Sequence, residues 1–346
     1  MRFFSLSRTL AAAMSLSLAL LAIGPEVPAG SLVAPSAAEA ATSRSRTKVV
    51  KKRTMAKKTI RKRSGSSTSL RRGVHKKRRG SAGRHRRYRR VAMSGSRAAV
   101  IMDAQTGEIL YEKNAGAPRS IASLTKLMTG IVFLETDPDL DRSVTVARED
   151  ITGSGKTQLR PGEGVTVRQL LFHSLMSSDN AATKALVRTS DIPPNEFLDR
   201  MNRKASVLGL HNTRFVEFTG LDPANQGSAE DIAQLLKNAA RRPLIAEITS
   251  TAEYEYRSSR RVHHLVNSNR LARYHTLDVR SGKTGFISGA GYCVATWVRQ
   301  GSRDLITVVL GAPSNPARFN ETRKLLSDFS VRSAEAGTLS PATGGN

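Results

Sequence analysis

IASLTKLMT, residues 121–129, places a serine and a lysine three positions apart at the start of a predicted helix. Side chains three positions apart lie on one face of a helix, so the Ser123 hydroxyl and the Lys126 amine can touch. A serine becomes a useful nucleophile when a base lies beside it, and a helix N-terminus adds unpaired N–H groups that favour developing negative charge. The pattern alone is weak, because residues 45–48 match it as well.

Two further short motifs follow the first in the chain. Ser178-Asp179-Asn180 lies between two helical patterns, and Lys283-Thr284-Gly285 precedes a strand-like run. Each is an ordinary turn when taken singly. Together, a Ser-x-x-Lys that opens a helix, a later Ser-x-Asn and a final Lys-Thr-Gly form the signature of serine β-lactamases and penicillin-binding proteins. The set therefore favours Ser123 as a nucleophile.

Strand patterns lie at both ends of the ordered part, with helical patterns between them. Residues 97–102 and 108–111 predict a hairpin, and later apolar runs rich in Val, Ile and Thr predict strands at 277–279, 291–298 and 305–310. Helical spacing of apolar residues predicts helices at 124–135, 167–176, 181–187, 197–208, 229–239 and 319–329. We predict an α/β (α+β) fold in which both chain ends build one antiparallel sheet, with flanking helices and an inserted helical subdomain.

The motifs and their surroundings resemble the low-molecular-mass penicillin-binding proteins, the serine D-alanyl-D-alanine carboxypeptidase and endopeptidase family. The similarity is carried by residues 121–129, 175–182, 208–213, 219–221, 281–286 and 290–293, within a region from 98 to 329. The resemblance implies a β-lactamase/DD-peptidase-like fold that acts on peptidoglycan stem peptides, with β-lactams as covalent inhibitors. The Ser-Asp-Asn triplet, Phe286 and the short chain after the last helix look more like the soluble DD-endopeptidase branch.

The resemblance implies catalytic roles for three residues. Ser123 would attack the carbonyl of the D-Ala ahead of the scissile bond, and a neutral Lys126 would accept the serine proton. A charged Lys283 nearby would help to keep Lys126 neutral, because a like charge lowers the pKa of an amine. Ser178 would relay a proton to the leaving group.

The resemblance also implies a set of substrate-binding residues: Asn180, Lys283, Thr284, Gly285, Phe286 and Arg318. Asn180 would hold the substrate amide and Thr284 the substrate carboxylate. The backbone N–H groups of Ser123 and Phe286 would form the oxyanion hole. Arg318, at the start of the last helix, resembles the carboxylate-binding arginine of the family. No metal or organic cofactor is implied.

The first 40 residues are typical of a secretory signal peptide. Arg2 and Arg8 make the start positively charged, an apolar stretch covers residues 10–23, and Ala38-Glu39-Ala40 offers a small-x-small cleavage site. We therefore expect export to the periplasm or the cell-wall space, with an uncleaved N-terminal anchor as the alternative.

Most of the positive charge lies in residues 41–95, which precede a catalytic domain predicted at 96–331 and a flexible tail at 332–346. The formal net charge is +27; 22 Lys and Arg and no acidic residue lie between 41 and 90, and residues 1–40 are neutral, which leaves 27 − 22 = +5 for the rest. The tract has few large apolar residues, so we predict disorder.

Anionic wall polymer or a membrane surface is the expected partner of residues 44–90, and a solvated spacer is the alternative. Nucleic acid is not expected, because Tyr88 is the only aromatic residue of the tract.

Two other classes of site are indicated only weakly. Residues 153–157, Gly-Ser-Gly-Lys-Thr, lack the first glycine of a phosphate-binding loop. His263, His264 and His275 lie near one another in the chain, but their spacing is not that of a metallopeptidase. We therefore predict neither an ATP site nor a metal site.

The sequence also allows two alternatives to a peptidase. A class A β-lactamase needs a glutamate that activates water for deacylation, and neither Glu163 nor Glu196 has convincing surroundings in the sequence. A weakly catalytic or non-catalytic protein that binds anionic wall polymer through the basic tract is the alternative from another functional class.

Overall fold

The computed structural model describes residues 95–338. The predicted signal peptide, the predicted disordered tract apart from Gly95, and the last residues of the predicted tail lie outside the described residues. The strands are β1 (Ala98–Asp103), β2 (Ile109–Lys113), β3 (Arg119–Ser120), β4 (Ser143–Thr145), β5 (Gly164–Thr166), β6 (Gln226–Gly227), β7 (Glu253–Arg257), β8 (Val262–Val266), β9 (Asp278–Ile287), β10 (Gly291–Gln300) and β11 (Arg303–Ala312).

The helices lie mainly in the middle of the chain. They are α1 (Lys126–Leu134), α2 (Arg148–Ile151), α3 (Val167–Leu171), α4 (Asn180–Arg188), α5 (Pro194–Val207), α6 (Ala229–Ala240), α7 (Pro243–Ser250), α8 (Arg270–Arg273) and α9 (Asn315–Thr338). A 3-10 helix spans Ala122–Thr125 and a π-helical turn spans Phe172–Met176.

The main sheet joins the two ends of the described chain. Its strand order is β2-β1-β11-β10-β9, and every neighbouring pair is antiparallel. In the central pair, Ala98 of β1 lies opposite Leu310 of β11. The predicted antiparallel sheet built from both chain ends is confirmed. β9 forms one edge of this sheet, which leaves one side of its backbone open to other elements.

Helices cover both faces of the main sheet. Successive side chains of a strand point to opposite faces, so neighbouring residues of β1 enter different cores. Val100 packs in the larger core with Leu127 of α1 and Ile232 of α6, whereas Ile101 packs in a smaller core with Phe319 of α9. The larger core continues among the inserted helices, which form the predicted helical subdomain.

The C-terminal helix is longer than its apolar spacing predicted. α9 continues past residue 329 to Thr338, so the first residues of the predicted tail are helical. Between residues 95 and 338, no helix combines the length and the apolar character that a bilayer span requires.

A buried polar cluster joins β8 to the segment before β5. Glu163 Oε1 accepts a hydrogen bond from Ser258 Oγ (2.5 Å) and lies 2.7 Å from His263 Nε2, while Glu163 Oε2 accepts one from Arg160 N (3.0 Å). Both side chains of the Glu163–His263 pair are fully buried. Burial raises the pKa of Glu163, but the hydrogen bonds from Ser258 and His263 act against it and the net shift is downward. His263 therefore has a structural partner.

We expect Glu163→Leu to lower the free energy of unfolding by about 3–5 kcal/mol, because His263, Ser258 and the Arg160 N–H lose a buried acceptor. Urea unfolding measures the change. Glu255→Leu is the matched control: Glu255 is exposed on β7, and its loss should cost within about 0.5 kcal/mol. Equal costs for the two variants would contradict the structural role of the buried pair.

Candidate active site

The predicted nucleophile lies in a tight turn that faces the edge strand β9. Ser123 is in the 3-10 helix, directly after Ala122, which has a φ of 49°. Two glycines let other backbone segments approach this turn. A Cβ on Gly285 would lie 3.0 Å from Ser123 N, and a Cβ on Gly220 would lie 2.1 Å from Ala122 O. The backbone of β9 therefore passes directly beside the Ser123 N–H group.

Lys126 is the centre of a buried set of hydrogen bonds. Its Nζ atom lies 3.0 Å from Ser123 Oγ, 2.6 Å from Asn180 Oδ1 and 2.5 Å from Thr219 O. The side chain has no exposed surface. Burial lowers the pKa of Lys126 to about 7, while the negative charges of Glu217 and Asp179 act in the opposite direction. The amine is therefore neutral in a large fraction of molecules near neutral pH.

The loop of residues 217–225, which we call the Glu217 loop, holds the Thr219 carbonyl that Lys126 contacts. Glu217 Oε2 accepts hydrogen bonds from the N–H and the hydroxyl of Thr219, both 2.6 Å long, and Glu217 Oε1 accepts one from Asn225 Nδ2 (2.7 Å). Asn225 Nδ2 also donates to Thr125 Oγ1 (3.1 Å), which connects the loop to the nucleophile turn, residues 122–125. The sequence analysis missed Glu217 and Thr219. The Thr219-Gly220-Leu221 stretch contributed to the family resemblance, but no local pattern indicates that its carbonyl meets a lysine.

The Ser178-Asp179-Asn180 segment connects the π-helical turn to α4. Ser178 has a φ of 66°, in the left-handed region that non-glycine residues seldom occupy. Asp179 Oδ1 caps α4 by accepting from Ala181 N (2.8 Å), and Asp179 Oδ2 accepts from Thr157 Oγ1 (2.6 Å). The backbone at Ser178 is therefore strained, and it is fixed by the residue that follows it.

Asn180 contacts both Lys126 and a neighbouring loop. Its Oδ1 atom accepts from Lys126, and its Nδ2 atom donates to Ser154 O (2.8 Å). Ser154 and Thr157 belong to the 153–157 segment that resembles part of a phosphate-binding loop. The structure places this segment beside the candidate active site, where it supports the second motif.

Lys283, Thr284 and Gly285 lie in the half of β9 that faces the nucleophile turn. Lys283 is almost fully buried; burial and the positive charge of Lys126 lower the pKa of Lys283 well below its ordinary value. Thr284 Oγ1 donates to Ser268 Oγ (2.7 Å). The low pKa predicted for Lys126 is thus present, but its cause is burial rather than the Lys283 charge that the sequence suggested.

Phe286 and Arg318 lie on β9 and behind it. Phe286 is half exposed and stacks on Tyr292, with ring centroids 4.2 Å apart. Arg318 was expected to bind a substrate carboxylate, but it is buried, and its Nη1 atom donates to Gly285 O and Cys293 O, each at 3.0 Å. Its guanidinium therefore fastens β9 to β10. Sequence position showed that α9 starts near the site but not which way the side chain turns, and carboxylate binding by Arg318 stays a prediction.

The match to a family model decides the relationship of this chain to known proteins. The model of peptidase S11, the D-alanyl-D-alanine carboxypeptidases, matches residues 88–314, which include all three motifs. The chain belongs to this family. The predicted serine peptidase class is confirmed by the same match.

Relatives and solved structures agree with this assignment. D-alanyl-D-alanine endopeptidases of Pseudomonas aeruginosa and Escherichia coli are 32% and 31% identical over 234 and 237 residues, which cover 66% of this chain and 76% of each relative. The crystal structure of a Streptomyces DD-transpeptidase has a TM-score of 0.65 and 28% identity, and the match covers 69% of this chain and 98% of that chain. The predicted β-lactamase/DD-peptidase-like fold is confirmed.

The low pKa of Lys126 gives this S11 peptidase an expected pH dependence. Only the neutral amine can accept the serine proton, so the rate of acylation by penicillin should rise with pH through about 7 and level off above it. Stopped-flow measurements with a fluorescent penicillin between pH 5 and pH 10 give the profile. A rate that keeps rising towards about pH 10, near the ordinary pKa of lysine, would contradict a pKa of about 7 for Lys126.

Proposed function

We propose that this member of the S11 family cleaves the peptide bond that follows a D-alanine in peptidoglycan stem peptides, through an acyl-enzyme on Ser123. The observation that carries the proposal is the 3.0 Å contact between Ser123 Oγ and the Nζ atom of Lys126, a buried amine with a pKa of about 7. A neutral amine at that distance can take the serine proton as the oxygen attacks.

The proposed reaction has two covalent steps. Ser123 Oγ forms an ester with the D-alanine carbonyl, the substrate C–N bond breaks, and the serine proton passes from Lys126 to the leaving amine, with Ser178 as the proposed relay. Water then hydrolyses the ester and restores Ser123. Thr284 is proposed to meet the substrate carboxylate, with Lys283 beside it, and Asn180 is proposed to hold the substrate amide.

The backbone beside Ser123 supports an oxyanion hole. Gly285 brings β9 against Ser123 N, and Phe286 is the next residue of that edge strand. We propose that the N–H groups of Ser123 and Phe286 bind the oxyanion, an interaction typically worth about 3 kcal/mol per donor.

Muropeptides test the activity and identify the bond that is cut. The purified protein and its Ser123→Ala variant are incubated with pentapeptide monomers and with cross-linked dimers, and masses are followed. The Ser-Asp-Asn motif and Phe286 favour conversion of dimers to monomers, which defines an endopeptidase; loss of one alanine from monomers defines a carboxypeptidase. No Ser123-dependent change on either substrate would favour the alternative, a non-catalytic wall-binding protein.

We expect penicillin to acylate Ser123 and to leave slowly. Neither candidate for a deacylating glutamate is free: Glu163 is held by Ser258 and His263, and Glu196 is half exposed on α5 and paired with Arg200 at 2.6 Å. Mass spectrometry should show one intact penicillin per protein and none on Ser123→Ala. Rapid catalytic turnover of penicillin would contradict this expectation.

We also propose that the protein works in the periplasm or the cell-wall space and that residues 44–90 bind anionic wall polymer or a membrane surface. The signal-like residues 1–40 and the 22 positive charges between residues 41 and 90 support these proposals. Deletion of residues 44–90 should reduce co-sedimentation with purified walls at low salt. Unchanged sedimentation would leave the tract as a spacer.

A further inference from the structure

Two loops pack together at one side of the active site. One covers residues 152–162 and the other is the turn between β7 and β8, residues 258–261. Arg261 Nη2 donates to Gln158 O (2.8 Å), and a Cβ on Gly162 would lie 2.8 Å from Arg260 Nη2. Just after the first loop, Gly164 O of β5 accepts from Ser259 N (3.1 Å). The first loop also contacts Asn180 through Ser154 O. The pair of loops therefore forms a wall that continues from the Ser178-Asp179-Asn180 motif.

The exposed charges of this wall are positive. Lys156, Arg160 and Arg260, which we call the basic rim, are exposed, and none of the three has a salt bridge to a described carboxylate. Lys184, four residues after Asn180 on α4, adds a further cation at the base of the rim, where its Nζ atom donates to Thr152 O (2.7 Å). Within the two loops the sequence has no Asp or Glu.

The acidic groups around the rim are engaged elsewhere or lie outside the two loops. Asp150 pairs with Arg188 at 2.8 Å, and Asp179 caps α4. Glu149 on α2 and Glu255 on β7 are exposed but are not in the loops. The two loops, one of which contacts Asn180, therefore present a positive surface, and such surfaces favour anionic partners.

We propose that the basic rim binds the free carboxylates of an acidic stem peptide, so that the protein prefers acidic stem peptides to those whose carboxylates are amidated. This inference rests on the proposed function and adds a determinant of substrate class to it. In a stem peptide linked through the γ-carboxyl of glutamate, the α-carboxylate of that residue remains free and ionised at neutral pH.

The reach of the substrate agrees with the position of the rim. The γ-linked glutamate lies two residues before the D-alanine that Ser123 would attack, and because the γ-linkage adds two methylene groups to the chain, their Cα atoms can be about 10 Å apart when it is extended. Lys156 likewise follows Ser154, the residue bonded to Asn180, by two residues, so their Cα atoms lie within about 7 Å of each other. In the proposed binding mode, a peptide lies along the Asn180 side of the site and its carboxylate meets the rim.

Binding measured without catalysis tests the proposal. Two synthetic pentapeptides ending in D-Ala-D-Ala, identical except for an α-carboxylate or an α-carboxamide on glutamate, are titrated into the Ser123→Ala protein. We expect the acid to bind about two- to fivefold more tightly than the amide at low salt. Lys156→Gln combined with Arg160→Gln and Arg260→Gln should abolish this difference. Raising the ionic strength to about 1 M, where the Debye length is about 3 Å, should also abolish it.

The matched control removes the same charge elsewhere. Arg203→Gln combined with Arg241→Gln and Arg303→Gln changes three exposed arginines on α5, after α6 and at the start of β11. This control should keep the acid-over-amide preference, and thermal unfolding establishes that both triple variants are folded. Equal binding of the two peptides by the Ser123→Ala protein, or an equal loss of preference in the control, would overturn the proposal. Failure of muropeptide cleavage would instead overturn the proposed function, because the binding assay does not depend on Ser123.

Discussion

Replacing Lys126 by arginine is expected to slow acylation of Ser123 by about 10²- to 10⁴-fold, the usual contribution of a general base. The amine of Lys126 can lose its proton near neutral pH because burial lowers its pKa to about 7. A guanidinium keeps its proton at any pH at which proteins remain folded, so it can donate to Ser123 Oγ but cannot accept from it. The time course of labelling with a fluorescent penicillin measures the rate.

Lys324→Arg is the control for this substitution. Lys324 is exposed on α9 and pairs with Asp328 at 2.9 Å, so an arginine there should leave labelling unchanged. Circular dichroism establishes that the Lys126→Arg protein is folded. A folded Lys126→Arg protein that acylates within about tenfold of the original rate would exclude Lys126 as the base.

Replacing Gly220 by alanine is expected to damage both stability and activity. Gly220 has a φ of 86°, which costs an L-residue about 1–2 kcal/mol, and its new Cβ would lie 2.1 Å from Ala122 O and 2.7 Å from Ser123 N. Because the blocking atoms belong to the backbone, the nucleophile turn must move. We expect a total loss of about 2–5 kcal/mol in the free energy of unfolding. A displacement of Ser123 by about 1 Å should slow acylation by about 10²-fold.

Gly301→Ala separates the two causes. Gly301 has a φ of 60° in the turn between β10 and β11, and a Cβ there would meet no atom within 4 Å. This variant should therefore lose only the conformational part, about 1–2 kcal/mol, and should acylate at the original rate. Similar losses in both variants would show that the contact between Gly220 and the nucleophile turn does not govern the site.

The main helices and four strands of the sheet could be predicted because their signals are local, whereas β9 was predicted only at residues 277–279 and in fact continues through Lys283-Thr284-Gly285. Apolar runs of β-branched residues marked β10 and β11, and helical spacing marked α1, α4, α5 and α6. Helix α7 and the β7–β8 hairpin went unassigned: both are short, and in the hairpin only one side is buried, as Tyr256 and Leu265 face inwards while Glu255 and His264 face outwards. The change from α-helix to π-helical turn at Phe172 also has no local signal, since the spacing of apolar residues continues through it.

The residues of the candidate site also divide into those with a local sequence signal and those without one. The three motifs could be found because each is contiguous, and their order in the chain was sufficient to indicate a family. Glu217 and Thr219 could not be found, because Thr219 lies 93 residues after Lys126 and contacts it through a backbone carbonyl, and Glu217 acts by holding Thr219. Arg318 was identified from the sequence, but the orientation of its side chain was not. The guanidinium packs against Tyr292 and Phe319 and donates to Gly285 O, and these contacts form only in the folded protein.

By itself, the sequence determined that the chain has a serine–lysine pair on one helical turn, a sheet built from both chain ends and the family in which these features occur together. Tertiary structure alone decided the lowered pKa of Lys126, the hydrogen-bond partners of Arg318 and the placement of a basic rim beside the site. The reason is that a pKa and a surface charge depend on what surrounds a side chain. Those surroundings are assembled from segments that share no local pattern: the nucleophile turn, the Glu217 loop, the start of α4 and the edge of β9.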